Sequence, residues 1–333
     1  MSIAVTVVIP TYRRVGLLFR CLSALSRQDF EADRMEVVVV TDGPDPATAF
    51  LMEGAMDGGP AFRHYSLPEK MGPAAARNLG WRRARGELIL FTDDDCVPEK
   101  DWVRSYWETY VEYKRVNPLG WVLGDQVAFK GTVVVPCPPE PTDYAKNVAG
   151  LETAEFVTAN CACPVDVLQR TGGFDESFTM AWREDSDFQF RLLEEGIPVV
   201  EVPRAQIVHP VRKAYWGISL KEQKKSLFNA LLYKKHPELF RKRIYRRPFW
   251  NYYTMIGLLL TALVALLSWD VPLAIMAATA WLIMTLDFAR KRLVGTSHAV
   301  GHVAEMVVTS MAIPFLSVFW TIYGAIRYRT FFL

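Results

Sequence analysis

Cysteine is scarce in this sequence, with five residues in 333. Their positions form no repeated CxxC spacing, which argues against a disulfide-stabilised secreted domain and against a cysteine-rich zinc module. The closest pair, Cys161 and Cys163, alternates within a predicted strand. Because no second cysteine pair accompanies it, we interpret this pair as packing rather than as metal binding.

Glycine-rich phosphate loops are also missing. No GxGxxG follows the first predicted strand, and no GxxxxGK[ST] occurs in the chain. A dinucleotide-binding site and a P-loop are therefore disfavoured. The start, Met1 to Ala4, lacks the basic residues and the long apolar core of a signal peptide, so we expect the first 210 residues to remain in the cytoplasm.

Three stretches near the C-terminus contain almost no charge, in a chain that is 51% hydrophobic. About 20 apolar residues span a bilayer, so we predict a membrane region at residues 249–333. It would hold two to three hydrophobic helices, at about residues 250–268, 271–286 and 304–326. The second stretch is short, so a re-entrant or interfacial segment is the alternative there. Buried helices of a soluble protein are disfavoured by the flanking Trp, Tyr and Arg residues.

Positive charge is concentrated directly before these stretches. Residues 221–247 contain ten Lys or Arg against Glu222 and Glu238, which is +8, and the chain total of +2 leaves −6 for the rest. A basic block beside a membrane helix indicates the cytoplasmic side and anionic lipid headgroups. Its leucines recur at helical spacing, so we predict a basic amphipathic juxtamembrane segment at residues 211–248. Nucleic acid is the competing partner, and the adjacent hydrophobic stretches argue against it.

These features together predict a multi-pass protein of the inner cell membrane, with residues 1–210 on the cytoplasmic side. Those residues alternate between apolar β-branched runs and helical patterns. Strands are predicted at residues 5–9, 37–40, 62–66, 87–92, 156–163 and 197–202, and helices at 17–25, 72–84 and 184–195. Continuous apolar strands separated by helices predict an α/β domain whose mostly parallel sheet is covered on both faces.

Three consecutive carboxylates, Asp93, Asp94 and Asp95, close the strand at residues 87–92. In an open α/β sheet, ligands bind beyond the carboxyl ends of the strands. Three like charges in such a place repel one another unless a cation lies among them, and hard oxygen ligands suit Mg²⁺ or Mn²⁺. A helix N-cap or a solvated loop is the alternative use of these acids.

Two other strands end in residues typical of a binding site. Thr11 and Tyr12 follow the first strand, and Asp42 follows the second. If the sheet is parallel, these residues and the acidic run emerge at one edge. That edge then offers an aromatic ring, an acid for a base or ribose, and a metal cluster. Asp42 also fits an ordinary turn before Gly43, and that alternative stays open.

Six segments in order resemble glycosyltransferase family 2, the inverting enzymes of GT-A fold. They are residues 7–13 (VVIPTYR), 40–43 (VTDG), 72–78 (GPAAARN), 91–95 (FTDDD), 172–175 (GGFD) and 184–185 (ED). The resemblance covers roughly residues 4–210 and is to membrane-anchored, bacterial-type members. It implies a nucleotide-sugar donor, usually a UDP-sugar, bound through a divalent metal, Mn²⁺ or Mg²⁺, at the acidic run.

The resemblance also implies roles for single residues. Donor binding is implied for Pro10, Thr11, Tyr12, Arg13, Asp42, Gly72, Arg77, Asp93, Asp94 and Trp182. Metal binding is implied for Asp95, Asp93 and His209, and His209 fits a structural role equally well. Asp185 matches the catalytic base of the family, with Glu184 beside it. Asp185 as the cap of the following helix, and Trp182 as a packing residue, are the alternatives.

The chain departs from the family pattern in three places. Thr41 stands where many members have an Asp, and Cys163 and Pro164 occupy a position that is often basic. The Gln-x-x-Arg-Trp motif of processive synthases is absent, which disfavours a processive polymerase. The implied reaction is one in-line displacement that inverts the anomeric carbon, with Asp185 as general base. Because the basic segment leads into hydrophobic helices, we expect a lipid-linked or glycolipid acceptor.

Two other classes of protein remain as alternatives. A nucleotidyltransferase would share the sheet and the metal, but it usually has a glycine-rich loop with a lysine after the first strand. Here that loop contains no glycine before Gly16. A non-catalytic membrane scaffold that binds sugar nucleotides is the second alternative, and the intact set of Asp93, Asp95 and Asp185 argues against it.

Overall fold

The computed structural model describes residues 2–54, 59–116 and 126–331. The chain folds into two compact units. The first comprises Met1–Pro136 and Ala149–Pro210, and the second comprises Cys137–Val148 and Val211–Leu333. The second unit therefore includes a short segment, residues 137–148, that interrupts the first unit in sequence.

Within the described residues, the first unit is built on an eight-stranded sheet of order β3-β2-β1-β4-β7-β6-β8-β5. The strands are β1 Val5–Thr11, β2 Met35–Thr41, β3 Ala61–Ser66, β4 Leu88–Thr92, β5 Val97–Pro98, β6 Ala128–Val134, β7 Asn160–Pro164 and β8 Val199–Val208. The helices up to residue 210 are α1 Val15–Leu25, α2 Pro46–Glu53, α3 Pro73–Arg83, α4 Trp102–Val116, α5 Asp143–Ala149, α6 Val165–Thr171 and α7 Glu184–Glu194.

Strand direction divides the sheet into two halves. Strands β3, β2, β1 and β4 are all parallel. Strand β7 then runs antiparallel to both β4 and β6, while β8 is parallel to β6 and antiparallel to β5. The predicted α/β domain is thus confirmed, with a sheet that is parallel in its first half and mixed in its second.

The parallel half forms because three of its strands are uninterrupted apolar runs. Every residue of β1, β2 and β4 is buried. On one face, Val8 and Phe91 belong to a core that includes three consecutive alanines of α3, residues 74–76. Their small side chains allow the helix to pack closely on the sheet. This half of the sheet is therefore a rigid support for the side chains that follow its strand ends.

The second unit contains three helices that are long and apolar enough to cross a membrane: α11 Trp250–Leu267, α12 Val271–Leu293 and α13 Val300–Arg327. At most a third of the most apolar part of each helix is buried, and such large apolar surfaces are uncommon on soluble proteins. The three helices were predicted, with different ends. α12 has 23 residues, longer than the 16 expected from residues 271–286, because its last turns continue through Arg290–Arg292. α13 begins four residues earlier than residue 304.

The basic segment consists of α8 Ile218–Glu222, a 3₁₀ turn at Gln223–Ser226, α9 Leu227–Lys235 and α10 Pro237–Arg243. Its apolar side chains Leu227, Phe228, Leu231 and Leu232 are buried. They do not form the lipid-facing stripe that the helical spacing suggested, because α9 packs against α13 of the same unit. The two helices approach so closely that a Cβ on Gly324 would lie 2.4 Å from the Leu227 carbonyl oxygen.

Candidate active site

The carboxyl ends of β1, β2 and β4 lie at one edge of the sheet. Thr11 is opposite Thr41 in the parallel register, and the Asp42 N–H donates to the Thr11 carbonyl at 2.9 Å. The acidic run follows β4, and β4 pairs with β1 along the edge of β1 that faces away from β2. Parallel strand direction therefore places three of the sequence-predicted segments side by side.

Asp94 is held by protein groups. Its carboxylate accepts hydrogen bonds from Thr11 Oγ1 at 2.7 Å and from Arg14 Nη1 at 3.0 Å, and the residue is 1% exposed. Burial raises the pKa of Asp94, opposed by the Arg14 charge and the Thr11 hydroxyl. Both oxygens thus accept from residues at or just after the end of β1. This carboxylate therefore ties the loop that follows β1 (the β1 loop, residues 12–14) to the end of β4. The sequence had grouped it with the donor-binding residues.

Arg77 joins the end of β4 to the start of α7. Its guanidinium donates to Asp93 Oδ1 at 2.8 Å and to Glu184 Oε1 at 3.2 Å. Arg77 and Glu184 are buried, whereas about 30% of the Asp93 side chain is exposed. A buried cation between two carboxylates fixes their separation. The geometry thus makes Arg77 a support for two acids, while the resemblance suggested contact with base or diphosphate.

Glu184 and Asp185 have different surroundings although they are adjacent. Burial, with the Asp185 charge, raises the pKa of the Glu184 carboxyl to about 7 against the opposing charge of Arg77. Desolvation also raises the pKa of Asp185, whose carboxylate is only half-buried. Asp185 Oδ1 accepts from the Ser186 N–H at 2.6 Å. Glu184 is therefore the inner, ion-paired acid, and Asp185 is the more accessible one.

A metal ion fits the donor atoms beside β4. Asp95, Cys96 and His209 each offer a ligand atom, and these atoms lie within 4.8 Å of one another. His209 follows β8, and its Nε2 is 3.6 Å from Asp95 Oδ1. Burial and the neighbouring aspartates raise the pKa of the Cys96 thiol well above its usual value. A carboxylate suits Mg²⁺ or Mn²⁺, and an imidazole is a common ligand of transition metals. Asp95 and His209 therefore form the candidate donor pair, with Asp93 close in sequence.

Asp42 anchors the loop that leads into α3. Its Oδ1 accepts the N–H groups of Met71 and Gly72 at 2.7 and 2.8 Å. Gly72 has φ +102°, and a Cβ there would lie 2.7 Å from the Thr179 carbonyl oxygen, so only glycine fits. Asp42 therefore does more than make a turn before Gly43: it fixes the N-terminus of the helix that carries Arg77.

The other donor-binding candidates lie on the β1 loop. Pro10 is inside β1, where it pairs with Val40. Tyr12 is half-buried, and Lys70 Nζ is 3.8 Å from its ring centroid. Arg13 has φ +54°, and its N–H donates to Asp45 Oδ2 at 3.0 Å. The ring of Tyr12 is thus covered by a cation at the same edge of the sheet.

Trp182 precedes α7 and is 39% exposed. The Arg183 guanidinium lies 4.6 Å from its ring centroid, and Arg183 has φ +75°, which turns the chain into the helix. The partly exposed indole therefore directly precedes Arg183 and the two acids Glu184 and Asp185 in the chain.

Sequence reasoning did not assign a role to Asn78 or Arg191. The Asn78 side chain donates to the Phe174 carbonyl at 2.7 Å and accepts the Phe174 N–H at 2.9 Å. Arg191 donates to the carbonyls of Thr171 and Gly173 at 2.5 and 2.6 Å. Both hold the Gly-Gly-Phe-Asp segment, which packs under α3. The placement of Asn78 directly after Arg77 was the available signal for the first of them.

Two family models match this chain. The model described as Glycosyl transferase family 2 matches residues 6–170, and the model described as Glycosyl transferase family group 2 matches residues 143–289. The fold and the matched residues define a glycosyltransferase of GT-A fold. The chain belongs to glycosyltransferase family 2.

Relatives in sequence include named glycosyltransferases. Validoxylamine A glucosyltransferase of Streptomyces hygroscopicus subsp. jinggangensis is 27% identical over 70% of this chain and 61% of its own length. Pre-mycofactocin glycosyltransferase of Mycobacterium tuberculosis is 27% identical over 64% of this chain and 46% of its own length. The chain thus spans less than two thirds of these relatives.

A solved structure with a similar fold is a mannosyltransferase from Pyrobaculum calidifontis, in complex with GDP-Man and Mn²⁺. It has a TM-score of 0.55 at 20% identity, and the likeness covers 97% of this chain and 88% of that one. S. aureus TarS has a TM-score of 0.51 at 16% identity, over 94% of this chain and 55% of its own. At these identities the likeness concerns the fold.

Proposed function

We propose that this protein is an inverting glycosyltransferase that moves a sugar from a nucleotide-sugar, a UDP-sugar, to a hydroxyl of a lipid-linked acceptor. One observation carries the proposal. The start of α7, with Asp185, is joined through buried Arg77 to Asp93 at the end of β4. A candidate base and the acidic run are thereby held at one edge of the sheet, where α/β enzymes bind ligands.

The donor binds along the β1, β2 and β4 ends. Tyr12 stacks on the base, and Asp42, already bonded to the loop before α3, faces the base or ribose. Asp93 faces the ribose or the metal, and Asp95 with His209 would hold a divalent ion. A metal bound there supplies Lewis-acid neutralisation of the charge on the leaving diphosphate. The Mn²⁺ and GDP-Man in the Pyrobaculum enzyme support a nucleotide-sugar and a divalent ion.

Asp185 acts as the general base. A free alcohol is a poor nucleophile, so transfer of its proton to a positioned carboxylate accelerates attack, typically by about 10²–10⁴-fold. A raised pKa makes Asp185 a stronger base than a solvated aspartate. Glu184, paired with Arg77, fixes the first turn of α7 and so orients Asp185, while Trp182 stacks on the sugar. Attack from the side opposite the diphosphate inverts the anomeric carbon.

The second unit supports a membrane location for the acceptor. Three helices long enough to cross a bilayer follow a basic segment in the same chain. We propose that they anchor the protein in the inner cell membrane with the first unit on the cytoplasmic side, the side favoured by basic residues beside membrane helices. A lipid-linked acceptor is then confined to the surface that holds the enzyme.

The test uses the full-length protein in lipid vesicles. UDP-, GDP- and CDP-sugars are supplied with Mn²⁺, Mg²⁺ or a chelator, together with a bacterial lipid extract, and both nucleotide release and labelled lipid are measured. Metal-dependent transfer from a UDP-sugar with inverted configuration is the expected result. Pyrophosphate release from UTP and a sugar phosphate would instead identify a nucleotidyltransferase. Binding of a nucleotide-sugar without turnover, with any acceptor, would identify a scaffold.

A further inference from the structure

The basic segment and two of the long helices of the second unit enclose a cavity. Its lining includes Tyr233 and Arg241 from α9 and α10, Arg246 and Arg247 from the connection to α11, and Thr321 from α13. The cavity volume is about 60 Å³, enough for a group of a few heavy atoms, since a single water needs roughly 10–15 Å³ by the same measure. All of these residues belong to the second unit, so the site is separate from the acidic run.

Among the residues that the structure describes, the lining is cationic and contains no carboxylate. Arg241, Arg246 and Arg247 all contribute, without a single Asp or Glu among the lining residues. Elsewhere in this unit, basic residues pair with a carboxylate: Arg290 and Lys291 share Asp287 at 2.8 and 2.7 Å. Arg241 donates to the Tyr233 hydroxyl at 2.8 Å, which orients its guanidinium. Several guanidinium groups around a small cavity are suited to a phosphate, which they bind through paired N–H donors.

The cavity lies near the ends of two long helices. Tyr252 and Tyr253, in the first turn of α11, line it, and so does Thr321, six residues before α13 ends at Arg327. At 1.5 Å per residue, Thr321 is roughly 9 Å from the end of α13. Tyr252 and Tyr253 belong to the first turn of the apolar helix α11, and tyrosine is enriched at membrane–water interfaces. Phe249 and Trp250 beside it are 48% and 64% exposed, as aromatic residues at a membrane interface are.

We propose that this cavity binds the phosphate group of an anionic membrane lipid. The arginines contact the phosphate oxygens, hydroxyl groups such as that of Thr321 contribute further hydrogen bonds, and the acyl or prenyl tail continues along the apolar surfaces of α11 and α13. A bilayer phospholipid and a lipid phosphate present the same group to the site. The proposal does not depend on the reaction of the first unit.

The test measures lipid retained by the full-length protein after extraction from nanodiscs, by native mass spectrometry. The nanodiscs contain phosphatidylcholine alone, with phosphatidylglycerol, or with a polyprenyl phosphate; a fourth sample in phosphatidylcholine receives inorganic phosphate. Wild-type protein is expected to retain one or both anionic lipids. In the variant Arg246→Gln/Arg247→Gln, binding should weaken about 30-fold, or roughly fivefold for each basic residue removed.

Two further variants separate the cavity from general surface charge. Lys234→Gln/Lys242→Gln removes the same charge from α9 and α10 at exposed positions that do not line the cavity, and it should retain the lipid. Thr321→Trp fills the cavity without changing charge and should release it. Because phosphatidylglycerol and polyprenyl phosphate are tested in separate nanodiscs, the experiment shows which of the two lipids supplies the bound phosphate group. Three results would overturn the proposal. The two double variants could lose the anionic lipid equally, the wild-type protein could retain phosphatidylcholine as well as the anionic lipids, or it could bind inorganic phosphate and neither anionic lipid.

Discussion

At the scale of single residues, three consecutive aspartates have three different environments. Asp93 is partly exposed and paired with Arg77, Asp94 is enclosed by Thr11 and Arg14, and Asp95 faces His209. The sequence could show that one strand ends in three acids, which predicted a metal site. The resemblance assigned Asp95 to the metal and Asp94 to the donor, but the sequence could not show what surrounds each acid, because their partners lie up to 114 positions away in the chain (His209 − Asp95).

Asp95→Ala should abolish metal-dependent transfer. The change removes one of very few hard ligands and leaves His209 and Asp93 to hold the ion, so affinity for Mn²⁺ should fall at least about tenfold. Mn²⁺ binding is measured by electron paramagnetic resonance without donor, and turnover is measured with it. Near-normal turnover that still requires the metal would contradict the assignment.

Asp185→Asn should lower turnover by roughly 10²-fold or more while donor affinity stays nearly the same. The amide preserves the shape and the contact with Ser186, but it cannot accept the acceptor's proton at neutral pH. Donor binding is followed by titration calorimetry, and turnover by product formation at saturating donor. If the variant loses donor binding and turns over normally at saturation, Asp185 is a donor ligand and the base lies elsewhere.

Arg77→Gln should destabilise the first unit by about 3–5 kcal/mol, because it leaves buried Glu184 without its cation. Arg82→Gln is the matched control on the same helix. Its partner is Glu176, and their side chains are 53% and 37% exposed, so the loss should be below about 1 kcal/mol. Thermal unfolding of both variants measures the difference. Equal melting temperatures for the two would exclude a structural role for the Arg77 bridge.

At the scale of elements, three of the predicted strands are completely buried. β1, β2 and β4 are continuous apolar runs, and their parallel pairing follows from that pattern. β6 was not predicted, because Lys130, Gly131 and Thr132 interrupt its apolar pattern and a bulge lies between the last two. β7 was predicted too early, at residues 156–163, since Phe156 and Val157 are buried without belonging to the strand.

Helical spacing of leucines also has a limit as evidence. The apolar stripe of α9 is equally compatible with insertion into lipid and with packing against another helix, because both environments are apolar. Only the three-dimensional structure identifies its partner as α13. What the sequence did establish is the existence of the stripe and of the basic residues around it.

Gly324→Ala should therefore loosen the α9–α13 contact. The added Cβ would lie 2.4 Å from the Leu227 carbonyl oxygen and 2.9 Å from its Cα, and backbone atoms cannot move aside as a flexible side chain does. We expect a loss of about 1–3 kcal/mol, measured as thermal unfolding in detergent. Gly257→Ala on α11 is the control, since nothing lies within 4 Å of its Cβ position. A control as unstable as Gly324→Ala would show that helix glycines matter here for another reason.

At the scale of the whole molecule, the two units are interleaved in sequence. Segment 137–148 is bonded to the rest of the second unit: Asp143 accepts from Arg292 at 2.7 Å, and the Pro141 carbonyl accepts the Ser297 N–H at 2.8 Å. A truncation after Pro210 would remove these partners and leave Asp143, with the rest of segment 137–148, without the unit it packs in. Experiments on the acceptor therefore need the complete protein. No sequence pattern indicated this insertion, because its partners are about 150 residues away (Arg292 − Asp143 = 149).

The full-length protein in vesicles should prefer a lipid-linked acceptor over a soluble acceptor with the same headgroup. A long-chain acceptor is concentrated on the surface to which the helices confine the enzyme, which raises its effective concentration without any new contact. Catalytic efficiency should fall at least about tenfold when the tail is shortened until the acceptor no longer partitions into the bilayer. In detergent, which dilutes the long-chain acceptor among micelles, the difference should narrow. Equal efficiency for a short soluble acceptor and for every lipid-linked one, in vesicles, would contradict a membrane-delivered acceptor while leaving the transfer reaction itself intact.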